Sequence, residues 1–173
     1  MRFSPWLTSL RNRFRPASRR SDTHRPSPQR HQAETLEPRA LLTTLATIVD
    51  STSRELTVNS DGNDDQIRVL QQGLNVQVQV ANDGGPFVDV PVSSSGMTGS
   101  FAASSINIIR IFAGDGDTRI DLQLVTSSVF SGLTAINVDA GNGNDVVLAS
   151  ANFATSINGG DGSDTLTGGS AAD

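Results

Sequence analysis

From residue 44 onward, aliphatic and polar residues alternate in short runs separated by glycine, asparagine and aspartate. The clearest run puts a large aliphatic residue at every second position: Leu74, Val76, Val78 and Val80. Because successive side chains of a strand point to opposite faces, this period predicts a half-buried β-strand. The run from Gln66 to Val69 alternates in the same way, and Gln71-Gln72-Gly73 between the two predicts a hairpin turn.

Similar runs predict further strands at residues 55–58, 87–90, 106–111, 135–138 and 155–157. Residues 82–86 form a turn signal of Asn, Asp, Gly and Pro between two of these strands. Residues 93–105 are small and polar, which predicts a loop or a short helical crossover. Since no amphipathic helix of useful length is present, the folded part of the chain is predicted to be all-β.

Four segments repeat one pattern, in which a turn-like hexamer is followed by a spacer and an aliphatic residue: Ser60–Ile67, Ala113–Ile120, Ala140–Val147 and Gly159–Leu166. The last two fit the nonapeptide G-G-x-G-x-D-x-U-x, where U is a large aliphatic residue. Residues 159–167 match every fixed position, and residues 140–148 match all but the first, which is Ala140. The first two segments are degenerate, because Asn63 replaces a glycine and Thr118 replaces the aspartate.

On these residues the chain resembles the RTX, or haemolysin-type, calcium-binding family, and the good matches lie within residues 140–173. The resemblance implies a right-handed parallel β-solenoid, a β-helix or β-roll, over residues 106–173. Hairpin-like strands over residues 44–105 would precede it. In the family, loops two repeats apart stack on one edge and share Ca²⁺, and the repeats stay disordered until calcium neutralises their carboxylates. Folding is thereby coupled to export.

Calcium requires about six to eight oxygen ligands, more than one hexamer supplies. Gly141 and Gly160 are 19 residues apart, one more than the two nonapeptides of a single turn. This spacing places Asp145 and Asp164 on one edge, facing a shared ion. The predicted metal site consists of these carboxylates and of four glycines that supply loop shape and carbonyl oxygens: Gly141, Gly143, Gly160 and Gly162. Residues 150–158 lack a Gly/Asp loop, so the other edge is expected to bind no calcium.

The earlier segments leave alternatives open. Gly114 and Gly141 are 27 residues apart, so an insertion within residues 122–131 is expected to be looped out, and a second ion between Asp115 or Asp117 and Asp145 is an open alternative. Residues 60–67 are interpreted as an ordinary turn between strands. They do not form an EF-hand, because Gln66 and Gln72 stand where Gly and Glu are needed.

Charge divides the chain into two parts. Residues 1–40 hold nine Arg against three acidic residues, a net +6, and residues 41–173 hold four Arg against fifteen acidic residues, a net −11. With five prolines among the first forty residues, residues 1–43 are predicted to be a disordered Arg/Pro-rich export or sorting segment. An acidic body attracts cations and repels nucleic acid, and DNA binding by the Arg-rich segment is ranked last because no groove-reading element follows it.

Residues 36–42, Leu-Glu-Pro-Arg-Ala-Leu-Leu, resemble the LEPR-XLL segment found near the N-termini of large bacterial surface and secreted proteins. The resemblance implies that the protein is exported, and therefore extracellular or at the cell surface. The alternative is an ordinary Arg-Pro junction that leads into the first strand.

Catalytic chemistry has little support in the sequence. Both histidines, His24 and His31, lie in the Arg-rich segment and the chain has no Cys, which excludes a Ser-His-Asp triad or a His-ligated zinc in the folded part. We therefore predict a non-enzymatic calcium-binding repeat module without a small-molecule substrate. The alternative is a calcium-independent, adhesin-like β-helix. Self-association through an edge strand, a longer repeat array and a cell-surface partner are the predicted interactions.

Overall fold

The computed structural model describes residues 54–60, 62–82, 84–95 and 97–171, together with the backbone of residues 45–48. Within this part the protein is all-β, with a single 3₁₀ helix at Ala103–Ser105 and no α-helix. The strands are β1 (Leu45–Ile48), β2 (Glu55–Asn59), β3 (Asp65–Gln72), β4 (Asn75–Asn82), β5 (Val88–Val90), β6 (Val92–Ser94), β7 (Met97–Thr98), β8 (Ile108–Phe112), β9 (Arg119–Asp121), β10 (Ala135–Asp139), β11 (Val146–Leu148), β12 (Thr155–Asn158) and β13 (Thr165–Thr167).

The predicted Arg-rich segment, residues 1–43, and its LEPR-XLL stretch lie outside the described residues. All described strands belong to the unit Arg39–Asp173. No helix in the described ranges is long and apolar enough to cross a lipid bilayer.

The strands form two sheets, one of seven strands in the order β12-β10-β8-β2-β1-β6-β7 and one of six in the order β13-β11-β9-β3-β4-β5. From β8 to β13 the chain alternates between the sheets, and each strand pairs in parallel with the strand two positions further along the chain. We call one strand of each sheet and the loop that joins them a layer. The four layers are β2–β3, β8–β9, β10–β11 and β12–β13, and neighbouring layers pair in parallel throughout.

Antiparallel pairing is found beyond the first layer. Strands β3 and β4 form the predicted hairpin, paired from Asp65↔Asn82 to Gln72↔Asn75 around the two-residue turn Gly73-Leu74. Val76, Val78 and Val80 face the core as expected, but Leu74 is 78% exposed because it occupies the turn and not the strand. Residues 92–105 hold the short strands β6 and β7 in addition to the short helix that the sequence suggested.

Aliphatic residues of successive layers stack above one another in the core. Ile67, Ile120 and Val147 occupy equivalent inward positions of β3, β9 and β11, and each is at most 1% exposed. Burying one such side chain contributes about 1.5–3 kcal/mol. Leu166 holds the same position in β13 but is 45% exposed, because β13 has a neighbour on one side only.

The long connection between β9 and β10 corrects the sequence-based expectation of a segment that is simply looped out. Its apolar residues pack onto the core, where Leu122, Val125, Phe130 and Leu133 are buried. Phe130 has the largest fully buried side chain of the described residues. The spacing of these residues gives the insertion a hydrophobic face, so layers 2 and 3 stay in register while the extra residues cover the core.

We expect Phe130→Ala to lower the free energy of unfolding by about 3–5 kcal/mol, because the substitution leaves a cavity in a fully packed site. The control is Leu124→Ala in the same insertion, where a side chain 54% exposed should change it by less than about 0.5 kcal/mol. Urea titrations followed by circular dichroism measure both values. Equal effects would mean that the insertion does not pack onto the core.

Candidate functional site

Four loops lie at the same edge of the fold, each leading from the seven-stranded sheet into the six-stranded one: residues 60–64, 113–118, 140–145 and 159–164. We call them the loop stack. Parallel bridges join Asp115 to Asn142 and Asn142 to Asp161. The N–H groups of Asn142 and Asp161 donate to the carbonyls of the preceding loops, Gly114 O at 3.0 Å and Gly141 O at 3.1 Å. Equivalent positions of the repeats are therefore held in contact.

The segment at residues 60–65 was expected to be an ordinary turn. It is instead the first loop of the stack, because Ser60 N–H donates to Phe112 O at 2.9 Å and Asp117 N–H donates to Asp64 Oδ1 at 2.9 Å. Asp61 lies outside the described residues. The signal that could have revealed this loop was the alignment of its aspartates with those of the later repeats.

The four predicted glycines give the loops their shape. Gly141, Gly143, Gly160 and Gly162 have φ values of +94°, +137°, +86° and +136°, which L side chains rarely adopt. A Cβ atom added at Gly160 would also collide with the carbonyl oxygen of Gly141. That oxygen already accepts the Asp161 N–H, and a carbonyl keeps a second lone pair for another partner.

The fifth residues of the repeats form an outer column: Asp64, Asp117, Asn144 and Ser163. The Oδ1 atom of each of the first three accepts the backbone N–H of the next member, at 2.9, 2.7 and 3.0 Å. Sequence reasoning missed this column, although each segment carries a polar side chain at that position. The outer column satisfies loop amides that have no strand partner.

The sixth residues form an inner column: Asp65, Thr118, Asp145 and Asp164. Here the hydrogen bonds run the opposite way, because Asp145 Oδ1 accepts Thr118 N–H at 2.8 Å and Asp164 Oδ1 accepts Asp145 N–H at 3.0 Å. Asp145 and Asp164 thus lie in adjacent layers on one edge, as the 19-residue spacing predicted. Each carboxylate is turned to the amide of the preceding loop.

Asp145 carries a buried carboxylate without a counter-charge. The residue is 0% exposed, and its Oδ2 atom is buried without a hydrogen-bond partner. Burial raises the pKa of this carboxyl, the hydrogen bond from Thr118 lowers it, and the negative charges of Asp164 and Asp117 raise it further. The charged side chains that shift the pKa of Asp145, those of Asp164 and Asp117, are both acidic, so a cation beside this buried carboxylate would lower the cost of its ionisation.

In the described ranges no group of three or more His, Cys, Asp or Glu residues converges on one point. A cation at this edge would therefore take carboxylate oxygens from two aspartates and the rest of its ligands from backbone carbonyls or water, all of which are oxygen donors that calcium accepts.

No protein-family model matches the sequence, and searches of curated proteins and of solved structures found no match. The two family resemblances noted in the sequence therefore stay predictions. Function has to be inferred from the geometry and charge of the loop stack.

We expect Gly160→Ala to destabilise the fold more than Gly73→Ala. Both glycines have positive φ, so each substitution costs about 1–2 kcal/mol of backbone strain. Gly73 has open space around it, whereas the collision at Gly160 adds about 1–3 kcal/mol. Urea denaturation of both variants gives the comparison. A Gly160→Ala variant as stable as Gly73→Ala would contradict the close contact of the loops.

In a chelator, we expect the stability of the protein to fall as pH rises above 3.8, the ordinary pKa of aspartate. Folded Asp145 keeps its proton at pH values where the unfolded chain has lost it, so unfolding becomes easier up to the raised pKa. Asp145→Asn keeps the acceptor for Thr118 but cannot ionise, and should remove this component. Urea midpoints measured across the pH range, with Asp89→Asn as the exposed control, test it. If stability falls more steeply with rising pH in the Asp145→Asn variant than in the native chain, ionisation of Asp145 does not destabilise the folded state.

Proposed function

We propose that this chain is a calcium-binding structural module in which one Ca²⁺ bridges the loops of layers 3 and 4. The observation that carries the proposal is the Asp145 carboxylate, which is fully buried, has one oxygen without a hydrogen-bond partner, and lies within reach of the negative charges of Asp164 and Asp117. A buried unpaired charge is strongly unfavourable, and a divalent cation beside it removes this cost.

The charge of the whole edge supports a cation as the ligand. Of the described residues, seven aspartates lie in or directly after the loops of the stack: Asp64, Asp65, Asp115, Asp117, Asp145, Asp161 and Asp164. The ion pair of Arg110 with Glu55 lies outside the stack. Glycine loops bring backbone carbonyls close to these carboxylates, and calcium prefers such a set of hard oxygen ligands.

We further propose that residues 106–173 form a right-handed parallel β-solenoid. The parallel registers of β8, β10 and β12 and of β9, β11 and β13 support this architecture. The 19-residue offset between layers 3 and 4 is close to two nonapeptides. The right-handed sense follows the general preference of parallel crossover connections.

Calcium would act by linkage, because an ion that binds only the folded state stabilises it. Extracellular calcium modules bind with dissociation constants of about 10⁻⁴–10⁻³ M. A site of this affinity fits the extracellular or cell-surface location that the two sequence resemblances imply. Folding would then be completed where calcium is abundant.

One observation favours a second candidate, a calcium-independent β-helix that serves as an interaction module. The loops are joined to one another by direct hydrogen bonds, since Asp145 and Asp164 each accept a backbone N–H at 2.8–3.0 Å. In this alternative the aspartates serve only to connect neighbouring loops, and protonation of Asp145 relieves its buried charge.

A calcium titration of the full chain distinguishes the two candidates. Calcium should raise the unfolding free energy by about 1.4 kcal/mol at ten times the dissociation constant, and magnesium should act more weakly because it loses its water ligands reluctantly. Asp164→Asn should abolish most of the effect, whereas the exposed control Asp89→Asn should retain it.

Urea denaturation in calcium and in a chelator measures these values, and calorimetry gives the number of ions. Identical unfolding curves in calcium and in the chelator would favour the calcium-independent candidate. If Asp164→Asn and Asp89→Asn reduce the calcium-dependent rise in unfolding free energy by the same amount, the ion does not lie in the loop stack.

A further inference from the structure

We propose that Thr118 limits the loop stack to a single calcium ion, an inference that rests on the proposed calcium function. Thr118 occupies the sixth repeat position in layer 2, where the layers on either side carry Asp65 and Asp145. All three residues are buried, with Thr118 and Asp65 each 1% exposed and Asp145 0% exposed. A neutral hydroxyl therefore interrupts an otherwise acidic inner column.

Thr118 thereby separates the carboxylate of Asp65 from those of Asp145 and Asp164 in the inner column. Asp145 and Asp164 are direct neighbours in the inner column, and Asp145 N–H donates to Asp164 Oδ1. Asp65 has no acidic neighbour in the inner column, because Thr118 follows it. Within the inner column, two carboxylates are adjacent only between layers 3 and 4.

Between layers 2 and 3 the inner column offers one carboxylate, that of Asp145. Thr118 N–H donates to Asp145 Oδ1 at 2.8 Å, and the Thr118 hydroxyl lies 3.5 Å from Gly116 O within its own loop. The second oxygen of the same carboxylate, Asp145 Oδ2, is buried without a hydrogen-bond partner and is thus left for the ion shared with Asp164.

The other carboxylate near this contact, Asp117, accepts the hydrogen bonds of the outer column. Its Oδ1 atom accepts the backbone N–H of Asn144 at 2.7 Å and the Asn144 side-chain amide at 3.2 Å. Asp117 therefore does not replace the missing carboxylate of position 118. We infer that a second ion between Asp117 and Asp145, one of the two alternatives left open beside that between Asp115 and Asp145, is not bound.

The test compares Thr118→Asp with the native chain. The substitution restores an acidic residue next to both Asp65 and Asp145, and should raise the number of bound calcium ions from one to two or more. Thr118→Asn is the matched control, since it has the shape of aspartate without the charge and should keep one ion. Calorimetric titration of the full-length variants with CaCl₂ gives the stoichiometry, and circular dichroism in calcium and in a chelator reports folding.

The outcomes distinguish the proposed calcium function from the role of Thr118. A native chain that binds no calcium overturns the proposed function, whereas a native chain that binds two or more ions overturns only the role of Thr118. A folded Thr118→Asp protein that still binds one ion also overturns it. Failure of Thr118→Asp to fold in calcium counts against the proposal as well, because ions at the new carboxylate pairs should compensate the added charge.

Asp164→Asn provides a second variant that does not depend on the folding of Thr118→Asp. It removes the partner of Asp145 in the acidic pair of the inner column, so the number of bound ions should fall from one to none. Retention of one ion in this variant would show that the bound ion does not lie between layers 3 and 4.

Discussion

Close contact between the loop backbones of neighbouring layers is the constraint on which the rest of the structure depends. Glycines at the second and fourth repeat positions permit this contact, since a Cβ at Gly160 would collide with the Gly141 carbonyl. Where the loops pack together, the Asp145 side chain is fully buried. The tight packing of the loops and the electrostatic problem at this edge thus have a single origin.

Two columns of side chains at this edge meet different needs. The outer column, exposed and neutral at Asn144 and Ser163, supplies acceptors to loop amides at little electrostatic cost. The inner column supplies acceptors in the opposite direction, but here the fully buried Asp145 lies next to the half-buried Asp164. The hydrogen bond from Thr118 satisfies one oxygen of Asp145, and the second oxygen is buried without a hydrogen-bond partner. A cation would complete the arrangement, which is why the proposed ion belongs to the inner column.

Much of the fold could be predicted from the sequence. Period-two alternation located most of the strands, and the 19-residue spacing of Gly141 and Gly160 brought Asp145 and Asp164 to one edge. Other features depend on tertiary contacts that local patterns do not encode. The burial of Phe130 follows from the space beside layers 2 and 3, and the first loop joins the stack despite Asn63 because Asp64 and Ser60 hydrogen-bond across layers. The sequence pattern likewise does not show which backbone amide each aspartate side chain contacts.

The offset between layers has a consequence for how such a protein changes length during evolution. Duplication or loss of a whole 19-residue unit preserves every contact between neighbouring loops, because each loop touches only the loops beside it. Adding one residue within a loop would shift the glycines against the facing carbonyls. Additional residues are accommodated at the opposite edge, as the insertion before β10 illustrates. Insertions and deletions should therefore concentrate at that edge.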